Sequence, residues 1–198
     1  FGTLAYISVY VGRHYTSRRV ATPQLLLDLD SSVVIGSSAP DKQLRVSIVT
    51  GGAERLSATT RTDVDGLFEV PLRDPDGRPA ALTPGEVIST STGIGPTDTV
   101  TMTVPDLTVK ANPDTNTVTG RMPADGLVSL SAHRMFVHPG GGRSVDHAVA
   151  QQGGNGTYTG RFTKADLAPG WRVTATMWEP PGHEARRRLG IRDRVGLR

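Results

Sequence analysis

Two parts of this chain repeat the same order of residues about 84 positions apart, and this repeat limits what the chain can fold into. Gly36 and Gly120 are 84 residues apart, and Pro84-Gly85 and Pro169-Gly170 follow at a separation of 85. Tandem copies of one folding unit produce such spacing. We therefore predict two similar domains, and the repeat favours a structural or binding array over an enzyme with a single site.

The repeat drifts in its middle. Asp65-Gly66-Leu67-Phe68 in the first copy corresponds to Asn155-Gly156-Thr157-Tyr158 in the second, at a separation of 90 residues. An insertion followed by a later deletion explains the drift, because loops tolerate changes of length better than strands do. We expect the variable loops, at 49–62 and 133–155, to carry any recognition.

The composition is typical of short strands joined by tight turns. The 198 residues include 23 Gly and 14 Pro, and each copy has the size of a small β-sandwich, about 80–100 residues. The chain has no cysteine, which excludes thiol catalysis, zinc–thiolate sites and iron–sulfur clusters but leaves the cellular compartment open. No apolar run approaches the roughly 18–20 residues that span a bilayer, so we predict no membrane span.

Alternation of apolar and polar residues predicts the strands. In the first copy Leu44, Val46 and Ile48 alternate with polar residues, which is the pattern of a half-buried strand. Segments 58–62 and 67–72 flank an Asp-Gly turn and are predicted to form a hairpin, because Asp-Gly accepts positive φ at low cost. The second copy follows the same order, so each copy has about seven strands. No window carries a helical stripe.

The first 22 residues correspond to the end of a repeat. The segment 2–9 aligns with 85–92, and Pro23 corresponds to Pro105 at a separation of 82. Residues 1–22 are therefore predicted to be the last hairpin of a preceding repeat. Two explanations stay open: the chain, which begins with Phe1, is an excised piece of a longer array, or the hairpin docks on a neighbouring subunit and completes its sheet. The predicted divisions are a terminal hairpin at 1–22, β-sandwiches at 23–104 and 105–191, and a basic tail at 192–198.

The first copy also carries a recognisable series of motifs. They are, in order, Val34-Ile35-Gly36, Val46-Ser47-Ile48, Thr62-Asp63-Val64-Asp65-Gly66-Leu67-Phe68 and Leu82-Thr83-Pro84-Gly85-Glu86-Val87. This series resembles tandem bacterial immunoglobulin-like modules and the related carboxypeptidase-regulatory-like β-sandwiches, with their T-D-x-D-G-x-F hairpin and L-x-P-G-x-x approach to the next strand. The resemblance covers 24–104 well and 106–191 more loosely, because the second copy keeps Leu167-Ala168-Pro169-Gly170 but has Gly154-Asn155-Gly156 in place of Asp-x-Asp.

The resemblance implies both a fold and a class of function. The fold is all-β, with tandem immunoglobulin-like β-sandwiches and an extra N-terminal β-hairpin. Modules of this family are usually non-catalytic and occur in surface adhesins, stalks, filaments and accessory parts of secreted enzymes. Its motifs are turns of a scaffold, so they specify a fold better than a function.

Two clusters have metal-ligating residue types. Carboxylates two apart in neighbouring turns offer the oxygen ligands that Ca²⁺ prefers, but Asp is favoured in ordinary turns and the other ligands of an EF-hand loop are absent. Imidazoles with a carboxylate in the variable loop of the second copy suit Zn²⁺, but they lack the spacing of a helical zinc motif. We predict no metal and no cofactor. The clusters are Asp63, Asp65, Asp74 and Asp76, and His133, His138, Asp146 and His147.

Three further features have alternative interpretations. The chain has a net charge of +3, and arginines crowd its end at Arg186, Arg187, Arg188, Arg192, Arg194 and Arg198. Arginine suits phosphate, sulfate and carboxylate, but these residues also fit a strand with charged outward side chains, which we prefer. Asn155-Gly156-Thr157 is a glycosylation sequon in form, and the turn explains it equally. Trp171 and Trp178 are the two residues available for an aromatic platform on which a sugar stacks.

These observations lead to one functional prediction and one alternative. We predict a non-catalytic, secreted or cell-surface structural repeat protein (a stalk, filament subunit or adhesin segment) built by tandem or inter-subunit β-sandwich contacts. The alternative is a carbohydrate-binding or accessory module of a secreted hydrolase. The expected partners are neighbouring repeats or identical subunits, with surface polysaccharide as a second class and nucleic acid not favoured. We predict no catalytic residue, and no Gly-x-Ser-x-Gly elbow is present.

Overall fold

The chain divides into two compact units, Phe1–Val104 with Pro181–His183 (unit 1) and Pro105–Pro180 with Glu184–Arg198 (unit 2). The computed structural model describes residues 4–11, 14–21, 24–93, 99–123, 126–134, 145–153, 155–179 and 183–191, with the backbone alone for 4–21. Among these residues the only helical element is one 3₁₀ turn, Pro113–Thr115. The predicted all-β fold is confirmed. The assignment of 1–22 to a preceding repeat stays a prediction.

Unit 1 contains three groups of antiparallel strands. The strands β1 and β2 pair with each other, β3, β4 and β7 are neighbours in that order, and β6, β5, β8 and β9 form a four-stranded sheet. The strands are β1 (Leu4–Val11), β2 (His14–Ala21), β3 (Gln24–Asp28), β4 (Val33–Ser37), β5 (Gln43–Thr50), β6 (Ala53–Arg61), β7 (Leu67–Pro71), β8 (Val87–Ser91) and β9 (Thr99–Thr103).

Alternate side chains along these strands are buried, which gives each sheet of β3 to β9 one apolar face. On β5, Leu44, Val46 and Ile48 are at most 2% exposed, as the alternation predicted. On β7, Phe68 and Val70 are buried between exposed neighbours. Two sheets of one compact unit hide such faces against each other, so this part of unit 1 forms a two-sheet sandwich.

The strand order identifies the kind of sandwich. Counted from β3, the first, second and fifth strands share one sheet, and the third, sixth and seventh share the other. This is the arrangement of immunoglobulin-like domains. The fourth strand, β6, pairs with the third strand, whereas in the constant-type domain it lies beside the fifth.

Unit 2 repeats this order with one additional strand. Its sheets run β10-β11-β15-β14 and β13-β12-β16-β17. The additional strand is β14, which lies beside β15. All but the first residue of β17 belongs to unit 2. The strands are β10 (Lys110–Asn112), β11 (Thr117–Arg121), β12 (Leu127–Arg134), β13 (Val145–Val149), β14 (Gln151–Gly153), β15 (Thr157–Arg161), β16 (Trp171–Glu179) and β17 (His183–Gly190).

The repeated glycines lie opposite aromatic residues in both units. Gly36 on β4 pairs with Phe68 on β7, and Gly120 on β11 pairs with Tyr158 on β15. A Cβ atom at Gly36 would lie 2.5 Å from the Phe68 ring, and one at Gly120 would lie 2.6 Å from the Tyr158 ring. The ring covers the glycine in each case, so the repeat in the sequence marks a repeated packing device.

The turn after the first strand of each sandwich also repeats. Ser32 and Asn116 have positive φ values of 55° and 52°. The carbonyl of Ser32 accepts a hydrogen bond from Leu72 N–H at 2.8 Å, and the carbonyl of Asn116 accepts one from Phe162 N–H at 3.0 Å. Left-handed backbone is uncommon outside glycine, so its recurrence at equivalent positions shows that the two units share backbone geometry and not merely strand order.

Two predictions about local structure are wrong. The segments 58–62 and 67–72 do not form a hairpin, because β6 pairs with β5 while β7 pairs with β4. The turn between them carries the chain from one sheet to the other. The segment 49–62 is not a variable loop either, since β6 occupies most of it. In 133–155, the described residues include β13 and β14.

Candidate functional site

Two Asp-x-Asp-Gly turns of unit 1 share one design. Asp63 Oδ1 accepts hydrogen bonds from the backbone N–H groups of Asp65 at 2.9 Å and Leu67 at 2.8 Å. Asp74 Oδ1 accepts from the N–H groups two and four residues further on, at 3.0 and 2.9 Å. Both are Asx turns, in which the side chain satisfies the backbone of its own turn. The first Asp of each motif therefore stabilises the fold.

The four aspartates whose residue type suits Ca²⁺ do not form a site with a third ligand among the described residues. In the parts of the chain that the structure describes, no three His, Asp or Glu side chains are grouped so that they could hold a metal ion. Asp63 and Asp74 each use one carboxylate oxygen in their own turns. The backbone N–H groups of Asp65 and Asp76 are donors within those same turns.

Asp146, one of the residues whose type suits Zn²⁺, is a buried structural carboxylate. Its side chain is 6% exposed, and Oδ2 accepts hydrogen bonds from Lys164 N–H and Ala165 N–H, both at 2.8 Å. Oδ1 accepts a third, from His147 N–H at 2.9 Å. Burial alone would raise the pKa of Asp146, but these N–H groups outweigh it and lower the pKa below its ordinary value. The carboxylate thus fastens the segment after β15 to β13.

The two described histidines of this group, His133 and His147, lie on a different face from Asp146. Asp146 pairs with buried Ala132, whereas the exposed His147 pairs with Ser131. His133 Nε2 lies 3.0 Å from Ser131 Oγ, on the same outward side of β12. Because successive side chains of a strand point to opposite faces, Asp146 cannot join these imidazoles around one ion. His138 lies outside the described residues.

An ion pair of unit 1 with a buried carboxylate was not predicted from the sequence. Glu86 is 5% exposed and accepts hydrogen bonds from Arg55 Nε at 2.8 Å and Arg55 Nη2 at 3.0 Å. Thr50 Oγ1 and Thr83 N–H donate to the same carboxylate, at 2.7 and 2.8 Å. Burial raises the pKa of Glu86, but these donors lower it by more. The pKa therefore lies below its ordinary value. The pair joins β6 to the turn before β8.

The two tryptophans have opposite environments. Trp171 is buried, so it cannot serve as a platform. Trp178 is 39% exposed on β16, and its Nε1–H donates to Glu184 Oε1 at 3.2 Å. Its cross-strand neighbour Leu127 is 71% exposed. Val149 on β13 is exposed on the same face, because it pairs with Ser129, two residues from Leu127.

This outer face of unit 2 combines apolar and polar groups. The exposed Leu127, Val149 and Trp178 are accompanied by Ser129 and Thr176, which pair with each other across β12 and β16. An aromatic ring with hydroxyl and charged groups around it can stack on a sugar ring and bond its hydroxyls. We call the exposed Leu127, Val149 and Trp178, with the partly buried Ser129 and Thr176, the outer face.

The described arginines of the C-terminal cluster lie on a strand. Arg187 Nε donates to the carbonyl of Leu107 at 3.2 Å, and Arg186 Nη2 lies 3.1 Å from Glu184 Oε2. These two arginines and Arg188 belong to β17, in agreement with the preferred interpretation as a charged strand. Residues 192–198 lie outside the described part of the chain.

Two other predicted features have simple outcomes. Asn155-Gly156-Thr157 lies in the turn before β15, where Gly156 has a φ of 65°. No helix of the described residues is both long enough and apolar enough to cross a bilayer.

Comparison with known proteins gave distant structural similarities. No protein-family model matches the chain, and no curated protein matches it. A solved structure of a tetra-tandem repeat in the extending region of a large adhesion protein is similar at 16% identity and a TM-score of 0.32, over 87% of this chain and 50% of that one.

A second similar structure comes from work on the cell-surface retention of a 1.5-MDa bacterial ice-binding adhesin. It is 14% identical, with a TM-score of 0.26, over 86% of this chain and 63% of that one. The chain thus spans 50% and 63% of the two structures that it resembles. Both TM-scores lie below 0.5, so the fold assignment rests on this chain's own strand order.

Proposed function

We propose that this chain is a non-catalytic, load-bearing repeat segment of a secreted or cell-surface protein, such as a stalk, filament subunit or adhesin. The observation that carries the proposal is the repetition of one sandwich, with the same strand order and the same glycine–aromatic pair, in both units. Serial copies of a small sandwich add length and stiffness. Such a series suits a spacer better than an enzyme with a single site.

The polar groups of the two units support a scaffold role. Asp63, Asp74 and Asp146 each bond the backbone of a turn or loop, and Glu86 bonds Arg55 beside one. Catalytic carboxylates need an oxygen directed toward a substrate. Here the described buried carboxylates are directed into the protein's own backbone or into an ion pair.

Single-molecule pulling tests the mechanical role. A chain held at its ends should unfold in two steps, each lengthening it by about 25–30 nm, because each sandwich contains enough residues to extend by roughly 3.3–3.6 Å apiece. A force–extension curve like that of an unstructured polypeptide, without a force peak for each sandwich, would contradict the proposal. Labelling of intact cells of the source organism with antibodies against this chain tests its location, and labelling only after permeabilisation would contradict a surface site.

The second candidate function is carbohydrate binding, which the exposed Trp178 favours. If the outer face binds a glycan, a glycan array should give a signal that Trp178→Ala abolishes. Val64→Ala is the control, because Val64 is an apolar residue of unit 1 that is 79% exposed and does not belong to the outer face. An array without signal above background, at several protein concentrations, would remove this candidate.

A further inference from the structure

The hairpin β1-β2 has the same register as the hairpin β8-β9. Val87 pairs with Thr103 and Ser91 with Thr99. Counting back 83 positions from these β8 residues and 82 from these β9 residues gives Leu4 with Ala21 and Ser8 with Ser17. These residues also pair with each other. A one-residue slip would break this correspondence, so β1 and β2 match the sixth and seventh strands of a sandwich in pairing as well as in sequence.

The sequence after each hairpin repeats one arrangement of proline and leucine. After β9 the chain passes through Pro105 to the buried Leu107, and after β2 it passes through Pro23 to the buried Leu25. The spacing between proline and leucine is identical. In sequence, β1 and β2 therefore precede the sandwich β3 to β9 as β8 and β9 precede unit 2, which is the order of a tandem array.

The sixth strand of a sandwich has two neighbours. In unit 1, β8 pairs with β9 on one side and with β5 on the other, through residues 87–91 and 45–49. Among the described residues, β1 pairs with β2 alone. The edge of β1 opposite β2 therefore corresponds to the edge of β8 that holds the third strand.

The backbone groups on that edge can be identified. The carbonyl of Glu86 accepts a hydrogen bond from Val104 N–H at 2.7 Å, so even-numbered residues of this segment bond toward β9. Alternate residues of a strand bond to opposite neighbours, so Val87, Ser89 and Ser91 bond toward β5. The equivalents on β1 are Leu4, Tyr6 and Ser8.

We propose that the edge of β1 formed by Leu4, Tyr6 and Ser8 binds, antiparallel, the third strand of a preceding immunoglobulin-like repeat of the same polypeptide. The proposal rests on the proposed function as a repeat segment. The identical connection after each hairpin favours a preceding repeat over a second copy of this chain as the source of the strand.

Amide exchange measured residue by residue in the 198-residue chain is the first test. The N–H groups of Ala5, Ile7 and Val9 bond to β2 and should exchange slowly relative to those of Leu4, Tyr6 and Ser8. The decisive test adds a repeat: residues 24–83 are fused directly before Phe1, which supplies the first five strands in the correct spacing. Exchange at Leu4, Tyr6 and Ser8 should then slow by about 100-fold, because a ladder bond now protects each amide.

Several outcomes would overturn the proposal. If the added residues fold, as their own amide protection reports, and the exchange at Leu4, Tyr6 and Ser8 is unchanged, the edge does not bind a third strand. If those three amides are already protected in the 198-residue chain and sedimentation shows a dimer, the strand comes from a second copy. If the added residues do not fold, the open reading frame decides: without five strand segments and a glycine–aromatic pair upstream, the proposal fails. The pulling experiment is independent, so these failures can be told from failure of the load-bearing role.

Discussion

At the scale of single residues, the glycine–aromatic pair explains why the repeat is visible at all. Gly36 and Gly120 lie under the rings of Phe68 and Tyr158, and a backbone carbonyl also lies too close to the position that a Cβ atom would take at each glycine. What matters for the packing at these two positions is the absence of a Cβ atom. Positions that can accept only hydrogen keep their identity while their neighbours change.

Substitution of either glycine by alanine should destabilise its unit. The added Cβ meets the Thr108 carbonyl at Gly120, and at Gly36 it meets the Gln24 carbonyl at 2.7 Å and the Phe68 ring at 2.5 Å. We expect each to cost about 1–3 kcal/mol, as overpacking usually does, with Gly120→Ala the more severe because the Thr108 carbonyl lies closer to the added Cβ than the Gln24 carbonyl does. Urea denaturation measures this. Gly190→Ala is the control, since nothing lies within 4 Å of that position, and an equal loss there would refute the packing explanation.

Tyr158→Phe tests the polar part of the same pair. The Tyr158 hydroxyl donates to the Thr108 carbonyl at 2.7 Å. Burial raises the pKa of this phenol far above its ordinary value, so it remains a donor across the accessible pH range. We expect a loss of about 0.5–1.5 kcal/mol in the free energy of unfolding, the usual value for one hydrogen bond. Unit 1 already has Phe68 at the equivalent position, so a loss above that range would indicate that the ring itself had shifted.

At the scale of elements, Glu86 holds the turn before β8 against β6. Glu86→Gln should cost about 1–3 kcal/mol at pH 7, because charge-assisted hydrogen bonds from Arg55 are lost. The pKa of Glu86 is lowered on folding, so its contribution is complete above the ordinary carboxyl value of 4.5 and is lost as the pH falls below it. The variant and the parent chain should therefore converge in urea midpoint as the pH is lowered toward 3.

The matched control for this element is Glu54→Gln. Glu54 also pairs with an arginine, Arg45, but both side chains are exposed, at 40% and 60%. Exposed ion pairs contribute little. An effect of Glu54→Gln as large as that of Glu86→Gln would show that the burial of Glu86 is not what matters.

The strands could be predicted from sequence because their signal is local. Leu44, Val46 and Ile48 carry the alternation of β5 within five residues, and Asp63 marks its turn by its own side chain. The pairing of β6 could not be predicted, since both sheets offer a neighbour and the Asp63 turn fits a hairpin or a crossing. The Arg55–Glu86 pair joins residues 31 apart, and nothing in either residue's neighbourhood indicates the other. Alternation in the sequence also separates the two faces of β16 near Trp178, but it does not indicate which face is buried.

At the scale of the whole molecule, three described groups make the fold sensitive to acid. His183 Nδ1 accepts Leu25 N–H at 3.2 Å, and burial lowers the pKa of this imidazole below 6.5. The unfolded chain therefore binds the proton more readily, and stability should begin to fall as the pH drops below 6.5. A second fall should follow below 4.5, where Glu86 loses its contribution, and it should steepen below 3.8, where Asp146 does so as well.

Urea denaturation at a series of pH values resolves these two falls. The double variant Glu86→Gln/Asp146→Asn should flatten the lower fall and leave the upper one, and His183→Phe should do the reverse. A stability that is constant between pH 7 and pH 5 in the parent chain would refute the assignment to His183.

The position of Glu86 also bears on how tandem copies avoid one another while folding. Neighbouring domains of one architecture can exchange strands and become trapped as misassembled forms. The residue equivalent to Glu86 in unit 2 is Trp171, which makes the same backbone bond to the last strand. If β8 entered unit 2 in place of β16, it would bury the Glu86 carboxylate away from Arg55, and an unpaired buried charge is strongly unfavourable. The two units thus share a backbone but differ in chemistry at this position, and the difference disfavours such an exchange.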